Sequence, residues 1–263
     1  MKYFDSHAHY YDARFHAMVE GGVDSLLASL FDSTVSAIVN VGTAPDTCFL
    51  AIEQARRYPN MYTALGIHPS DGQGLADPDA ALSEIRARIL DPASKCVALG
   101  EIGLDYHYDD TDRAAQAYLF DAQMQLAREL SLPVVIHDRD AHGDVMDVIR
   151  RYPDVRGILH SYSGSAEMAR ELLDYDYYLS FSGTVTFTNA KKTVLAAAAV
   201  PMERILIETD APYLAPHPLR GTLNHSGNLA YANRAIAAIH GIGEEECAHI
   251  TEQNARRIFG LAE

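Results

Sequence analysis

The chain has 263 residues, 48% of them hydrophobic, and no Gly-, Ser- or Pro-rich linker, which argues for one large core over residues 1–263 rather than two small domains. Asp and Glu number 36 against 21 Lys and Arg, a formal charge of −15; this excludes capture of nucleic acid by a long-range basic surface and leaves only a local cationic site for that purpose. Three cysteines (Cys48, Cys96, Cys247) without a C-x-x-C arrangement exclude a disulfide scaffold, and the longest apolar run, Val194 to Val200, is far too short to cross a bilayer.

In chain order, Tyr3-Phe4 opens a first strand that runs straight into His7-Ala8-His9, with no basic and apolar leader before it. Ala37 to Val41 and Tyr62 to Leu65 predict strands two and three, ended by Gly42 and Gly66. Leu82 to Leu90 has helical spacing. Val97 to Leu99, ended by Gly100, predicts strand four. Asp112 to Leu130 is the clearest helix, with Tyr118, Leu119, Ala122, Leu126 and Leu130 on one stripe. Strand five is Val134 to Ile136, opened by Pro133, and a helix over Val145 to Tyr152 follows. Strand six is Ile158-Leu159, then a helix over Glu167 to Leu173, strand seven at Tyr178 to Phe181 and strand eight at Ile205 to Ile207. Helices over Ala230 to His240 and Glu244 to Phe259 finish the chain. Eight strands alternating with helices imply a parallel sheet closed into a (β/α)8 TIM barrel. An open doubly wound sheet would want a glycine-rich phosphate loop after strand one, where the two histidines stand instead.

Residues capable of binding metal recur at the strand ends. His7 and His9 lie two apart, hence on one face of an extended segment. Glu101 follows strand four, His137 strand five, His160 strand six and Asp210 strand eight. Each histidine alone is as easily a hydrogen-bonded core residue, but a buried carboxylate needs a cation, and all six would meet at the mouth of a barrel. Four imidazoles and two carboxylates exceed what one tetrahedral ion needs, so one or two divalent ions are expected, from Mg, Mn, Zn and similar metals, with Glu101 as the bridge of a pair. His68 after strand three would orient a phosphate or donate a proton, or else cap a loop. Arg139, two past His137, would grip a phosphate, unless Asp138 or Asp140 pairs with it. Asp105 would brace a ligand histidine or serve a turn. His107, His142, His217 and His225 are expected to stand apart, and Arg113 and Arg220 to lie on the surface.

The stretches Asp5–His9 (DSHAH), Gly66–Pro69 (GIHP), Gly100–Tyr106 (GEIGLDY), Leu132–Ala141 (LPVVIHDRDA), Leu159–Gly164 (LHSYSG), Leu179–Gly183 (LSFSG) and Ile207–Leu214 (IETDAPYL) occur in the order of, and together resemble, the TatD family of metal-dependent deoxyribonucleases within the amidohydrolase-like barrels. The resemblance implies a TIM barrel, the same six metal ligands, and phosphodiester hydrolysis, commonly as a 3′-5′ exonuclease on DNA. In that reading Asp210 takes a proton from water, Glu101 supports the metals and His68 assists the leaving group. One stretch departs: after Arg220-Gly221, where the family often carries Asn-Glu-Pro, stands Asn224-His225-Ser226, which puts the loop after strand eight, and substrate preference with it, in question.

Two further readings stay open. The same barrel and metals would serve a small-molecule ester or amide, a reading the acidity and the altered loop favour; the chain also lacks an interleaved basic and aromatic stripe for single strands. A non-enzymatic metal scaffold predicts a closed site. A cytoplasmic location is expected, with no membrane association and with DNA or an oligonucleotide as passing substrate rather than stable partner; the oligomeric state is not set by the sequence, and a monomer is compatible with it.

Overall fold

Eight short β-branched or apolar segments, each followed by a segment of helical periodicity, have one economical arrangement, because parallel neighbours require a crossover. The computed structural model, which describes residues 1–262, has it. The strands are β1 (Tyr3–Ala8), β2 (Val35–Gly42), β3 (Met61–Leu65), β4 (Cys96–Asp105), β5 (Val134–Arg139), β6 (Gly157–Leu159), β7 (Tyr178–Phe181) and β8 (Ile205–Ile207). They pair in parallel in the order β1 to β8. The ring closes where Ala8 bridges Ala211, His9 N–H donates to Ala211 O at 2.7 Å and Asp210 N–H donates to His7 O at 2.9 Å. This is the (β/α)8 barrel that the alternation predicts.

The helices are α1 (Ala13–Met18), α2 (Gly22–Ser33), α3 (Pro45–Ala55), α4 (Pro69–Gly72), α5 (Pro78–Leu90), α6 (Arg113–Leu130), α7 (His142–Arg151), α8 (Ala166–Asp174), α9 (Lys191–Ala199), α10 (Leu229–His240) and α11 (Glu244–Ile258). Among the described residues none is long and apolar enough to cross a membrane. The short α1 and α4, and the longer α2, α3 and α9, have no counterpart among the helices the sequence predicts. Small residues bury much of α3 (Cys48, Ala51, Ala55), and the alanine run of α9 shows no stripe, though alanine is the best helix former.

Alternate strand residues fill the barrel: Phe4, Ala37, Val39, Val41, Ala64, Ala98, Val135, Ile158 and Leu206 form one buried cluster with Phe259. Phe259, just past α11, stacks on Phe4 with ring centroids 6.0 Å apart, which covers the end where strands begin. The open mouth is therefore at the strand C-termini.

Two strands carry irregularities where the candidate ligands lie. Strand β4 does not stop at Gly100, as the glycine led us to expect, but runs on to Asp105. Gly100 pairs with Val135 and Ile102 with Ile136, so Glu101 is the extra residue of a bulge. Bulges re-aim a side chain, and here the carboxylate turns into the mouth. A Cβ on Gly100 would lie 2.7 Å from Val135 Cβ, and one on Gly103 (φ +132°) only 2.0 Å from His137 O; the glycines permit β4 to hug β5 rather than end the strand. Strand β1 has a similar shift between Asp5 and Ala8, spanning His7.

Candidate metal centre

The ends of β1, β4, β5, β6 and β8 bring six side chains to one place. The first group is made by His7, His9, Glu101 and Asp210. His7 Nε2 lies 3.1 Å from His9 Nε2 and 3.3 Å from Glu101 Oε2, and His9 Nε2 lies 3.3 Å from Asp210 Oδ1. The second is made by Glu101, His137 and His160: Glu101 Oε1 lies 2.8 Å from His137 Nδ1 and 2.9 Å from His160 Nε2, and those nitrogens are 3.1 Å apart. One carboxylate thus presents one oxygen to each group. Ligands about 2.0–2.2 Å from a tetrahedral ion stand roughly 3.3 Å from each other, so both groups have the spacing of a coordination shell.

The outer nitrogens decide what the inner ones offer. His9 Nδ1–H donates to Val41 O at 2.8 Å, His137 Nε2–H to Asp105 Oδ2 at 3.2 Å, and His160 Nδ1–H to Glu208 Oε1 at 3.3 Å. A neutral imidazole so anchored turns a bare lone pair inward. Lone pairs facing one another and a carboxylate at these distances repel unless a cation sits between them. The donor set therefore fits divalent ions. The exception is His7 Nδ1, buried without a partner; stacking on the His160 ring, 4.1 Å between centroids, orients this histidine instead.

The family model described as TatD related DNase matches residues 4–260. The chain belongs to the TatD family of metal-dependent hydrolases. It is 39% identical to the metal-dependent hydrolase YabD of Bacillus subtilis strain 168, over 98% of this chain and 99% of that one. It is 35% identical to the metal-dependent hydrolase YcfH of Escherichia coli K12, over 98% and 95%. Among solved structures it is similar to YjjV, a TatD homologue of E. coli K12, with a TM-score of 0.88 and 28% identity over 99% of this chain and 98% of that one.

The electrostatics of this TatD-family site follow from burying so many charges together. Burial opposes protonation of His160, but the Glu101 and Glu208 carboxylates outweigh it and raise its pKa well above the usual 6.5. His137 is raised in the same way by Asp105 and Glu101, and His9 by Asp210 and Glu101, each against its burial. Burial pushes Glu101 up, and the imidazoles of His160, His68, His7 and His137 more than reverse that, leaving it well below the carboxylate range. Protons and metal therefore compete for the same lone pairs, and the raised imidazole values bring that competition to higher pH. Apparent affinity for Mn²⁺ is expected to fall as pH drops from about 8 to about 6, with protons released on binding. Calorimetry in two buffers of different ionisation enthalpy measures both; an affinity flat across that range contradicts the assignment.

Other expectations divide. His68 caps: Nδ1 accepts from Ser70 N–H at 3.1 Å at the start of α4, while Nε2 faces the site 3.5 Å from Glu101 Oε1. That bond fixes the tautomer with the proton on Nε2, so His68 is a hydrogen-bond donor rather than a ligand. Burial, first among its causes, lowers its pKa to about 3, which keeps it neutral. Arg139 lines the cleft and pairs with neither neighbouring aspartate: Asp138 meets His142 at 2.8 Å and Asp140 meets His107 at 3.1 Å, while Arg139 leans on Tyr108. Asp105 braces His137, as proposed for a ligand histidine. Arg113 and Arg220 stack on Tyr106 and Phe187, outside the cleft.

The Asn224-His225-Ser226 departure has a different meaning from the one its sequence invites. None of the three lines the cleft. Asn224 Nδ2 donates to Thr209 O at 2.9 Å and Tyr213 O at 2.7 Å, and Ser226 Oγ donates to Asp5 Oδ2 at 2.6 Å. The loop ties the β8 end to β1 through these inward bonds.

Two residues carry weight that the sequence reading missed. Asp5, fully buried, is one. Glu208 is the other: it is buried, and Oε1 accepts Ser161 N–H at 2.8 Å as well as the His160 ring. Its signal was present, since Glu208 and Asp210 repeat the spacing of His7 and His9. Glu208→Ala is expected to weaken metal affinity by about 10- to 100-fold, the usual cost of losing such a brace; unchanged affinity in a metal titration would show that His160 needs no help.

Proposed function

We propose that the protein hydrolyses phosphodiester bonds, with a DNA strand end as substrate and 3′-5′ exonuclease action. The observation that carries the reading is Glu101, whose two oxygens face two separate nitrogen groups at the foot of an open cleft of about 810 Å³. His7, His9, Glu101 and Asp210 would hold one divalent ion, and Glu101, His137 and His160 a second. Bound there, such ions would supply a lowered water pKa, from 15.7 towards ~7, and positive charge opposite the phosphoryl oxygens. Asp210, partly open to the cleft and held ionised against its burial by His9, His7 and His160, takes the proton from the attacking water. His68 Nε2–H donates to a phosphoryl or leaving oxygen. Arg139, at the rim, binds a phosphate in bidentate fashion. The free cysteines Cys48, Cys96 and Cys247 agree with a reducing, cytoplasmic setting, and we take the nucleic acid as a passing substrate of a monomer.

A second reading keeps the metals and exchanges the substrate for a small ester or amide. The cleft lining favours it to this extent: among the described residues there, Arg139 is the only arginine or lysine, beside Asp12, Asp71 and Asp138. The open cleft speaks against a scaffold, whose metal sites are closed. A panel of chromogenic esters, lactones, amides and phosphodiesters, with an end-labelled oligonucleotide, run with and without chelator, separates the readings. Chelator-sensitive cleavage confined to the phosphodiesters is the expected result; turnover of esters or amides alone sinks the proposal.

A further inference from the structure

No stretch of this chain interleaves basic and aromatic residues, yet the fold assembles such pairs from distant segments. Tyr213, three residues past Asp210, lines the cleft and keeps 47% of its surface exposed. The Arg14 guanidinium carbon lies 4.2 Å from its ring centroid, and Asp12 holds that guanidinium through contacts of 2.9 and 2.7 Å. His9 meets the same ring edge-on, 6.3 Å between centroids. Elsewhere on the rim Tyr108, in the loop after β4, lines the cleft with 53% exposure. Arg139 lies 5.5 Å from its centroid, and Arg139 Nη1 donates to its hydroxyl at 3.4 Å.

The chemistry assigned to the metal centre uses neither tyrosine. An exposed ring braced by a guanidinium is a rigid flat face, and ordering a planar partner on it costs little side-chain entropy. Stacking on such faces tolerates any base, because each base has a π-face. Arg139, which neither neighbouring aspartate pairs with, also adds a positive charge at the rim of an acidic chain, where a phosphate backbone would pass, whereas the charge of Arg14 is met by Asp12.

We infer that Tyr213 and Tyr108 are stacking platforms for the bases flanking the scissile phosphodiester, gripping those bases by their faces rather than reading their edges. This rests on the phosphodiesterase reading above. Bases inside a duplex already stack on one another and reach neither ring.

The test compares Tyr213→Leu and Tyr108→Leu, which remove the flat face and keep apolar bulk, with the corresponding Phe variants, which keep the face. The exposed Tyr118→Leu, on α6 outside the cleft, is the control. Kinetics are measured on a short single strand, on the same sequence as a blunt duplex, and on methyl p-nitrophenyl phosphate, which has no base. Binding is followed separately by quenching of 2-aminopurine at the strand end. Each Leu variant is expected to raise KM for the single strand by about tenfold more than it changes KM for the small phosphodiester, and to lose the quench. The Phe variants and Tyr118→Leu keep the wild-type ratio, and the wild type prefers the single strand to the duplex. Equal losses on both substrates, an unaltered quench, or a duplex cut as fast as the single strand overturns the inference and leaves the phosphodiesterase reading standing. A wild type that cleaves no phosphodiester takes both down.

Discussion

Glu101→Gln is expected to lower turnover by roughly 10³-fold or more while the barrel still folds. Glutamine keeps the size and shape of the side chain, so the bulge at Glu101 and its packing against β5 persist. What is lost is the charge, and with it the ability of both oxygens to face cations: one end becomes an NH₂ that points protons at His137 and His160 or at His7. The imidazole lone pairs, anchored by Val41 O, Asp105 and Glu208, do not move to compensate. Metal content should fall alongside turnover. Far-ultraviolet circular dichroism and a melting curve check that the fold survives, and a folded Glu101→Gln that retains wild-type turnover removes Glu101 from the chemistry.

The second large effect is on stability rather than rate. Asp5 lies fully buried beneath the site, and four donors converge on it: Thr209 Oγ1 at 2.6 Å, Ser226 Oγ at 2.6 Å, Thr209 N–H at 3.0 Å and His7 N–H at 3.3 Å. Burial pushes its carboxyl up to about 6 in spite of them. The side chain is the knot that joins β1 to the segment after β8 and to the Asn224–Ser226 loop. Asp5→Ala would leave two backbone N–H groups and the Thr209 hydroxyl buried without this acceptor, with Ser226 Oγ falling back on Tyr10 OH at 2.7 Å, at a cost on the order of 3 kcal/mol. For a chain of this size that lowers Tm by about 6–12 °C. A melting curve within a degree or two of wild type would mean that water takes over the donors and that the ring closes without this residue.

The architecture was legible because it rests on repetition. Each of the eight strands coincides with an apolar run, and the heavily striped α6 falls where Tyr118, Leu119, Ala122, Leu126 and Leu130 predict it. Helices α2, α3 and α9 escaped for a different reason. Their buried faces lean on few or small residues, Val23, Leu27 and Leu30 in α2 and cysteine and alanine in α3, and a stripe of small residues carries little contrast against its surroundings. The length of β4 was misread because a glycine was taken as a stop when it serves a close approach to β5.

The candidate ligands were legible for the same reason as the strands: a barrel converts position at a strand end into position at a mouth. What surrounds them was not. Asp5 and the Arg14–Tyr213 pair depend on contacts between segments far apart in sequence, while Glu208 did carry a signal, its spacing from Asp210, but its histidine partner lies 48 residues away. The Asn224-His225-Ser226 loop shows the converse error. Its departure from the family pattern invited a reading about substrate, whereas its hydrogen bonds point inward to Thr209, Tyr213 and Asp5.

The most direct test of the whole account is a count of metal ions. Purified protein, stripped with chelator and then titrated with Mn²⁺, is assayed for bound metal per chain and for cleavage of an end-labelled single strand at each step. The account predicts two tightly held ions per wild-type chain, with cleavage appearing only as they bind and both lost in Glu101→Gln. A stripped chain that takes up no divalent ion, or one that cleaves equally well without it, contradicts the account.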